Sequence, residues 1–330
     1  NGDAHNTAIG YTAGLNVTTG TFNTLIGSLA GDALTEGTRN VGLGYNALGS
    51  DTLGSKSVAI GLGALGDQNF TSATDALNTA VGHGAGGAVT TGIQNTLIGG
   101  LAGSSITAAN QNVAVGYGTL DADTLGARNV AVGTNSLTSQ NFTSATNAYN
   151  VGVGYFAGAG ITTGTNNTFI GGLAGDANTT ASSNTGVGSE ALTTNTTGAD
   201  NTALGRRSLN LNTTGSNNTG LGLQALYSNT TASYNTAVGV SALLSNTTGS
   251  NNVAVGSLSL DANTTGDHNV ALGTSALGAL TAGDKNVAVG NSALAAFNVT
   301  DGSETYNTAV GYAAGGSVST GIRNTLIGGL

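Results

Sequence analysis

The chain has 330 residues, of which 56 are Gly and none is Pro, Cys, Met or Trp. The lack of Cys excludes a disulfide framework and any thiolate nucleophile or zinc site, and charged residues at 7%, against roughly 25% in an ordinary soluble domain, leave few groups for acid–base chemistry. A net charge of −9 is expected to leave no basic surface for nucleic acid or anionic lipid, and Gly, Asn or Thr interrupts every apolar run well short of the roughly 20 residues a membrane helix needs.

Read from the N-terminus, the pattern Asn-(Thr/Val)-x-(Ile/Val/Leu)-Gly begins at Asn6, Asn23 and Asn40, and at Ser57 with Ser in place of Asn. It continues at Asn78, Asn95, Asn112, Asn129, Asn150, Asn167, Asn184, Asn201, Asn218, Asn235, Asn252, Asn269, Asn286, Asn307 and Asn324. The nineteen starts are 17 residues apart fifteen times and 21 apart three times. The three longer units carry four-residue inserts near Asn69-Phe70-Thr71, Asn141-Phe142-Thr143 and Asn298-Val299-Thr300. The array fills residues 1–330 as a single continuous domain without linkers. It opens on Gly2-Asp3-Ala4-His5, stops mid-unit at Leu330 and has no Met, so it is expected to be a slice of a longer array.

With the opening Asn as position 1, position 5 is Gly in all nineteen units, position 4 is Ile, Val or Leu, and position 2 is Thr eleven times and Val eight. Position 8 is Ala, Ser or Thr, position 9 is Leu or Gly, and a second Gly usually lies three residues before the next Asn. Side chains alternate along a strand, so positions 2 and 4 are expected to form the inward row, with a Gly corner at position 5 and a Gly turn back. No helical period survives Gly at this frequency. One such coil cannot offset the entropy of ordering its own backbone. The coils must therefore stack, and the expected fold is all-β, a parallel β-solenoid of 17-residue coils.

Position 3 is then expected to look outward, yet it is Ala or Gly in fifteen coils and Leu25, Leu97, Phe169 and Leu326 in the others. A small apolar outer row suggests close approach of another copy, with Ala59, Ala114, Ala237 and Ala288 as contacts along an oligomer axis. The competing reading is that Ala relieves crowding in a tightly stacked monomer.

Units such as Ser57-Val58-Ala59-Ile60-Gly61 and Asn112-Val113-Ala114-Val115-Gly116 resemble the head repeat of YadA-like trimeric autotransporter adhesins. Units such as Asn235-Thr236-Ala237-Val238-Gly239 through Asn246-Thr247-Thr248-Gly249 are similar to repeats of phage tail-fibre proteins. The resemblance covers all nineteen units. It implies a left-handed β-roll, three chains side by side, secreted or virion-borne and used for attachment to a host-surface glycan or protein receptor.

No constellation for catalysis, cofactor or metal emerges. His5 and His268 share a repeat phase fifteen coils apart, and His83 sits in another. Asp121 and Asp123 lack the further oxygens a calcium site needs. The GxGxxG matches at Gly61 and Gly82 lack a following helix. Of twelve Asn-x-Thr sequons, six share one phase at the Asn-Thr-Thr-Gly turn: Asn178, Asn195, Asn212, Asn229, Asn246 and Asn263. These are either plain turn residues or sites of a glycan coat. The inserts bring Phe70 with Thr71, Phe142 with Thr143, and Asn298 with Thr300. These are either recognition loops on a rigid scaffold or aromatic plugs folded back onto the coil.

The expected function is a non-enzymatic extracellular fibre segment of a cell-surface appendage or virion, structural or adhesive and self-associating, with a trimer favoured. A glycan-coated fibril is the alternative. Ice or carbohydrate-crystal binding by a Thr ladder is set aside because position-2 Thr is expected on the core face. A lyase-like enzyme is set aside for want of clustered Asp, Arg or Lys.

Overall fold

A computed structural model describes residues 4–329; Gly2, Asp3 and Leu330 lie outside the described residues. The chain divides into two compact units, Asn1–Asn166 and Asn167–Leu330, each built from the same coil. Among the described residues there is no helix, and the repeat appears as nineteen three-residue strands, from Thr7–Ile9 to Thr325–Ile327. Within each unit a strand pairs in parallel with the equivalent strand of the next coil. Thr7, Ala8 and Ile9 lie opposite Thr24, Leu25 and Ile26 in the first unit. Thr202, Ala203 and Leu204 lie opposite Thr219, Gly220 and Leu221 in the second. This is the expected parallel β-solenoid.

The expected polarity of the strand is inverted. Position 3 faces the interior, and Ala59, Ala114, Ala237 and Ala288 are all 0% exposed. Positions 2 and 4 are the outward row, partly exposed along the array, as the strands Val113–Val115 and Thr202–Leu204 illustrate. The physical reason is the bore of a 17-residue coil. Two backbone segments stand so close across it that an inward position admits only a small side chain, unless the opposite wall gives way.

Where it gives way, position 3 grows. Leu25, Leu97 and Phe169 are the large occupants, and each of their coils carries Gly at position 9: Gly31, Gly103 and Gly175. A Cβ on those glycines would lie 2.7 Å from Leu25 Cδ2, 2.8 Å from Leu97 Cδ2 and 2.4 Å from the Phe169 ring. The coil just before each of these also has Gly at position 9, as Gly14, Gly86 and Gly158, and in most other coils position 9 is a buried Leu held at positive φ, such as Leu226 at 54°. Its burial offsets the roughly 1–2 kcal/mol that this backbone costs an L-residue.

The Asn that opens every coil but the one at Ser57 explains itself at this level. Asn23 Oδ1 accepts the backbone N–H of Asn40 at 2.9 Å, and Asn40 Nδ2 donates to the carbonyl of Gly54, fourteen residues on in its own coil, at 2.9 Å. Asn218 does the same for Asn235 and Ala232 in the second unit. In the 17-residue coils the position-1 Asn thus closes its own coil and pins the next, while Asn129 and Asn286, in coils with inserts, donate instead to the coil before; either way backbone groups that the short strands leave unpaired are satisfied.

Candidate functional surface

Position 12 is a second interior row, and its chemistry changes along the chain. Val17, Leu34, Val89, Ile106 and Leu280 supply aliphatic stretches, while Asn178 to Asn263 form a continuous amide stretch. All six of those Asn residues are 0% exposed. Each bonds to the next, as Asn212 Nδ2 does to Asn195 Oδ1 at 2.7 Å and Asn229 Nδ2 to Asn212 Oδ1 at 2.8 Å. The glycan-coat expectation at these residues is therefore overturned, because a side chain sealed inside the coil and bonded at both ends cannot carry a sugar. The ladder stops where Leu280 replaces Asn in the following coil, and Asn263 Oδ1 is left buried without a partner.

In the first unit the same row holds two matching polar cassettes. Asp51 Oδ2 accepts from Gln68 Nε2 at 2.7 Å and Asp51 Oδ1 from the Gly54 and Phe70 N–H groups at 3.0 and 3.4 Å. Gln68 Oε1 in turn accepts from Asn78 at 2.9 Å. Asp123, Gln140, Phe142 and Asn150 repeat the arrangement. Burial pushes both Asp carboxyls above the ordinary value of 3.8, and the bonds from the Gln side chain and backbone amides only partly oppose it.

The sign follows from linkage. A carboxyl with a raised folded-state pKa binds its proton more tightly in the native than in the unfolded chain. Its contribution to stability therefore falls as pH rises from the ordinary value through the folded one, and grows as pH is lowered. The stability of the wild type relative to Asp51→Asn/Asp123→Asn, which cannot titrate, is expected to shift toward the wild type between pH 7 and pH 4. Chemical denaturation followed by circular dichroism measures it, and a pH-independent difference would contradict the assignment.

These cassettes also settle where the inserts point. Phe70 and Phe142 are 5% and 6% exposed, tucked under the insert whose strands Thr74–Asp75 and Thr146–Asn147 pair back onto Gly54–Ser55 and Gly126–Ala127. Of the two readings of these inserts, the structure agrees with the plug at Phe70 and Phe142 and contradicts their exposure as aromatic recognition points. In the third insert Phe297 at position 12 is fully buried, and Asn298 Oδ1 accepts from Thr281 N–H and Oγ1 at 3.0 and 2.8 Å. Of the six residues nominated for recognition, Thr71, Thr143 and Thr300 are the exposed ones.

The dispersed chemistry stays dispersed. Asp123 lies inside the coil while Asp121, outside it, accepts from Ser104 Oγ. No group of three His, Asp or Glu side chains among the described residues could hold a metal ion, and no helix is long and apolar enough to cross a membrane.

What remains as a surface is the outward strand face. Position 4 presents Ile, Val or Leu in every coil, flanked by Thr or Val at position 2 and, in the first unit, by Tyr11, Tyr45, Tyr117 and Tyr155 at position 6. Tyr117 and Tyr155 are each 59% exposed, and Leu204 and Val255 in the second unit 38%. A sequence reading that placed aliphatics inside by default missed this face. The signal that could have found it is the pairing of large position 3 with Gly at position 9. No protein-family model matches the chain, and no curated protein or solved structure is significantly similar to it.

Proposed function

We propose that the chain is a non-enzymatic segment of an extracellular fibre, on a cell-surface appendage or a virion, whose copies associate side by side through the outward face of positions 2, 4 and 6. The observation that carries this reading is the outward aliphatic row at position 4, present in every coil. Burying one partly exposed Val or Leu contributes at most about 1 kcal/mol, but the row repeats with each coil. Extended apolar patches on soluble proteins mark association surfaces. The resemblance of the repeat to trimeric adhesin heads and tail fibres supports a three-chain arrangement and an attachment role. Contact through position 3 is replaced by contact through positions 2 and 4.

The test follows from that replacement. Leu204→Arg/Val255→Arg should reduce the particle mass measured by light scattering to that of one 31.8 kDa chain, with the far-UV spectrum unchanged. Unchanged mass, or a wild type that is already monomeric, overturns the reading. Arg at Ala114 or Ala237 would instead place a guanidinium in the closed interior and unfold the coil.

One observation favours a second reading. Thr168, Thr185, Thr202, Thr219 and Thr236 face outward in successive coils, which removes the ground for setting aside a crystal-binding Thr ladder. Self-association accounts for more of the face, because the aliphatic row adjoining those hydroxyls runs through all nineteen coils.

A further inference from the structure

The last position of each coil, immediately before the Asn, concentrates the positive charge of the molecule. Of seven Lys and Arg in the sequence, Arg39, Lys56, Arg128, Lys285 and Arg323 fall there. In the first unit the segregation is complete: its three cations are Arg39, Lys56 and Arg128, and no carboxylate of that unit occupies the row. Lys56 is paired with Asp75 of the neighbouring insert at 2.6 Å. Arg39 and Arg128 have no ion-pair partner among the described residues.

Both free guanidiniums are nevertheless held in place. Arg39 stands 5.7 Å from the centre of the Phe22 ring, which stacks on His5 at 5.2 Å. Arg128 Nη1 donates to the Tyr149 hydroxyl at 2.7 Å, and Arg128 Nε donates to Gln111 Oε1 at 3.0 Å. Gln111 Nε2 donates to Gln94 Oε1 at 3.0 Å. The row has a left-handed backbone, with φ of 62° at Phe22, 59° at Arg39 and 64° at Arg128. That conformation costs an L-residue in every coil, and here it holds a line of exposed side chains at the coil spacing.

We propose that this edge of the first unit binds an acidic polysaccharide of the uronate type, laid along the stack. The free guanidiniums take sugar carboxylates by charge-assisted hydrogen bonds. The Phe22 and Tyr149 rings, whose faces pack on His5, Arg39 and Arg128, present exposed apolar edges to sugar carbon–hydrogen groups, and the amides of Gln94 and Gln111 match hydroxyls. Coils rise by about 4.8 Å, comparable to the length of one sugar in an extended uronate chain, so polymer and row run at similar spacing. The charge is too sparse for the other polyanions. A duplex presents a charge about every 1.7 Å, and an anionic membrane is recognised by clusters of about 4–8 basic residues. The assignment rests on the fibre reading only in requiring this edge to stay uncovered when copies associate.

The experiment uses the full chain, with polygalacturonate and its fully methyl-esterified form as probes, binding being followed by calorimetry and mass by light scattering. Polygalacturonate should bind in a salt-sensitive manner, and the ester roughly tenfold more weakly, as should polygalacturonate to Arg39→Gln/Arg128→Gln. Lys285→Gln in the second unit should leave binding unchanged. Equal binding of acid and ester, an unaffected double variant, or equal competition by duplex DNA or anionic vesicles overturns the proposal. So does a changed mass in the double variant, which would make this edge a contact between copies. A monomeric wild type that still binds polygalacturonate would sink the side-by-side fibre and leave this site standing.

Discussion

Asn112→Ala is expected to destabilise the first unit by about 3–6 kcal/mol, since each buried group stranded without a partner costs about 1–3 kcal/mol. Asn112 is fully buried, and its Oδ1 accepts the backbone N–H of Asn129 at 2.9 Å and the Asn129 amide at 3.1 Å. Its Nδ2 donates to the Gly126 carbonyl at 3.0 Å. Truncation strands all three partners in a space too tight for water. Asn112→Asp sharpens the test. It keeps the shape and both acceptor roles, but sets a buried carboxylate oxygen against the Gly126 carbonyl. The loss at neutral pH should be at least as large, with partial recovery in acid, where a protonated carboxyl can donate. Thr265→Ala, at an exposed turn position, should stay within about 0.5 kcal/mol. Denaturation of the three variants decides it, and a loss at Asn112→Ala below 1 kcal/mol would refute the ladder's role.

The period, the all-β class and the parallel stacking were legible because Gly at position 5 and Asn at position 1 recur without regard to the side chains between them. The direction of the side chains was not. Aliphatics at position 4 read as core because burial is the usual fate of Val and Ile, but a coil this narrow has little interior to fill. Two signals pointed the other way. Position 3 enlarges to Leu25, Leu97 and Phe169 only where position 9 shrinks to Gly, which is the mark of two residues facing each other across a bore. Position 12 carries Asn in one stretch and aliphatics such as Leu34, Ile106 and Leu280 in others, and a solvent-facing turn would not accept those aliphatics repeatedly. Read together, they place positions 3, 9 and 12 inside and turn the Asn-Thr-Thr-Gly sequons from a surface feature into a buried ladder.

The cationic row was hidden for a different reason. Net charge is a sum over the chain, and at −9 it masks a local excess on one edge. Only the phase of each Lys and Arg within the coil shows that Arg39, Lys56 and Arg128 fall in register. The outward aliphatic face and this edge are therefore two products of one constraint, since the coil's interior accepts so few large or charged groups that they collect on its outside in rows.

Gly222→Ala should cost about 3 kcal/mol or more, given that backbone regions open essentially to Gly alone cost other residues about 1–3 kcal/mol even without a clash. Gly222 has φ of 132°, and a Cβ there would lie 2.5 Å from the carbonyl oxygen of Gly239, its equivalent in the next coil. The backbone cannot step aside. Gly222 N–H donates to the Leu204 carbonyl at 2.8 Å and Gly239 N–H to the Leu221 carbonyl at 2.7 Å, so relief at one coil opens the pairing on both sides. Gly172→Ala is the contrast, because nothing lies within 4 Å of a Cβ at that position. It should be neutral or stabilising by about 0.4–1 kcal/mol through the unfolded chain. Equal melting temperatures for the two variants would show that coil spacing is adjustable. A large loss confined to Gly222→Ala would mean that position-5 Gly is demanded by the neighbouring coil's backbone. In that case each coil helps fix a residue of the coil before it, and contact between coils adds to the backbone conformation within one in keeping the repeat uniform.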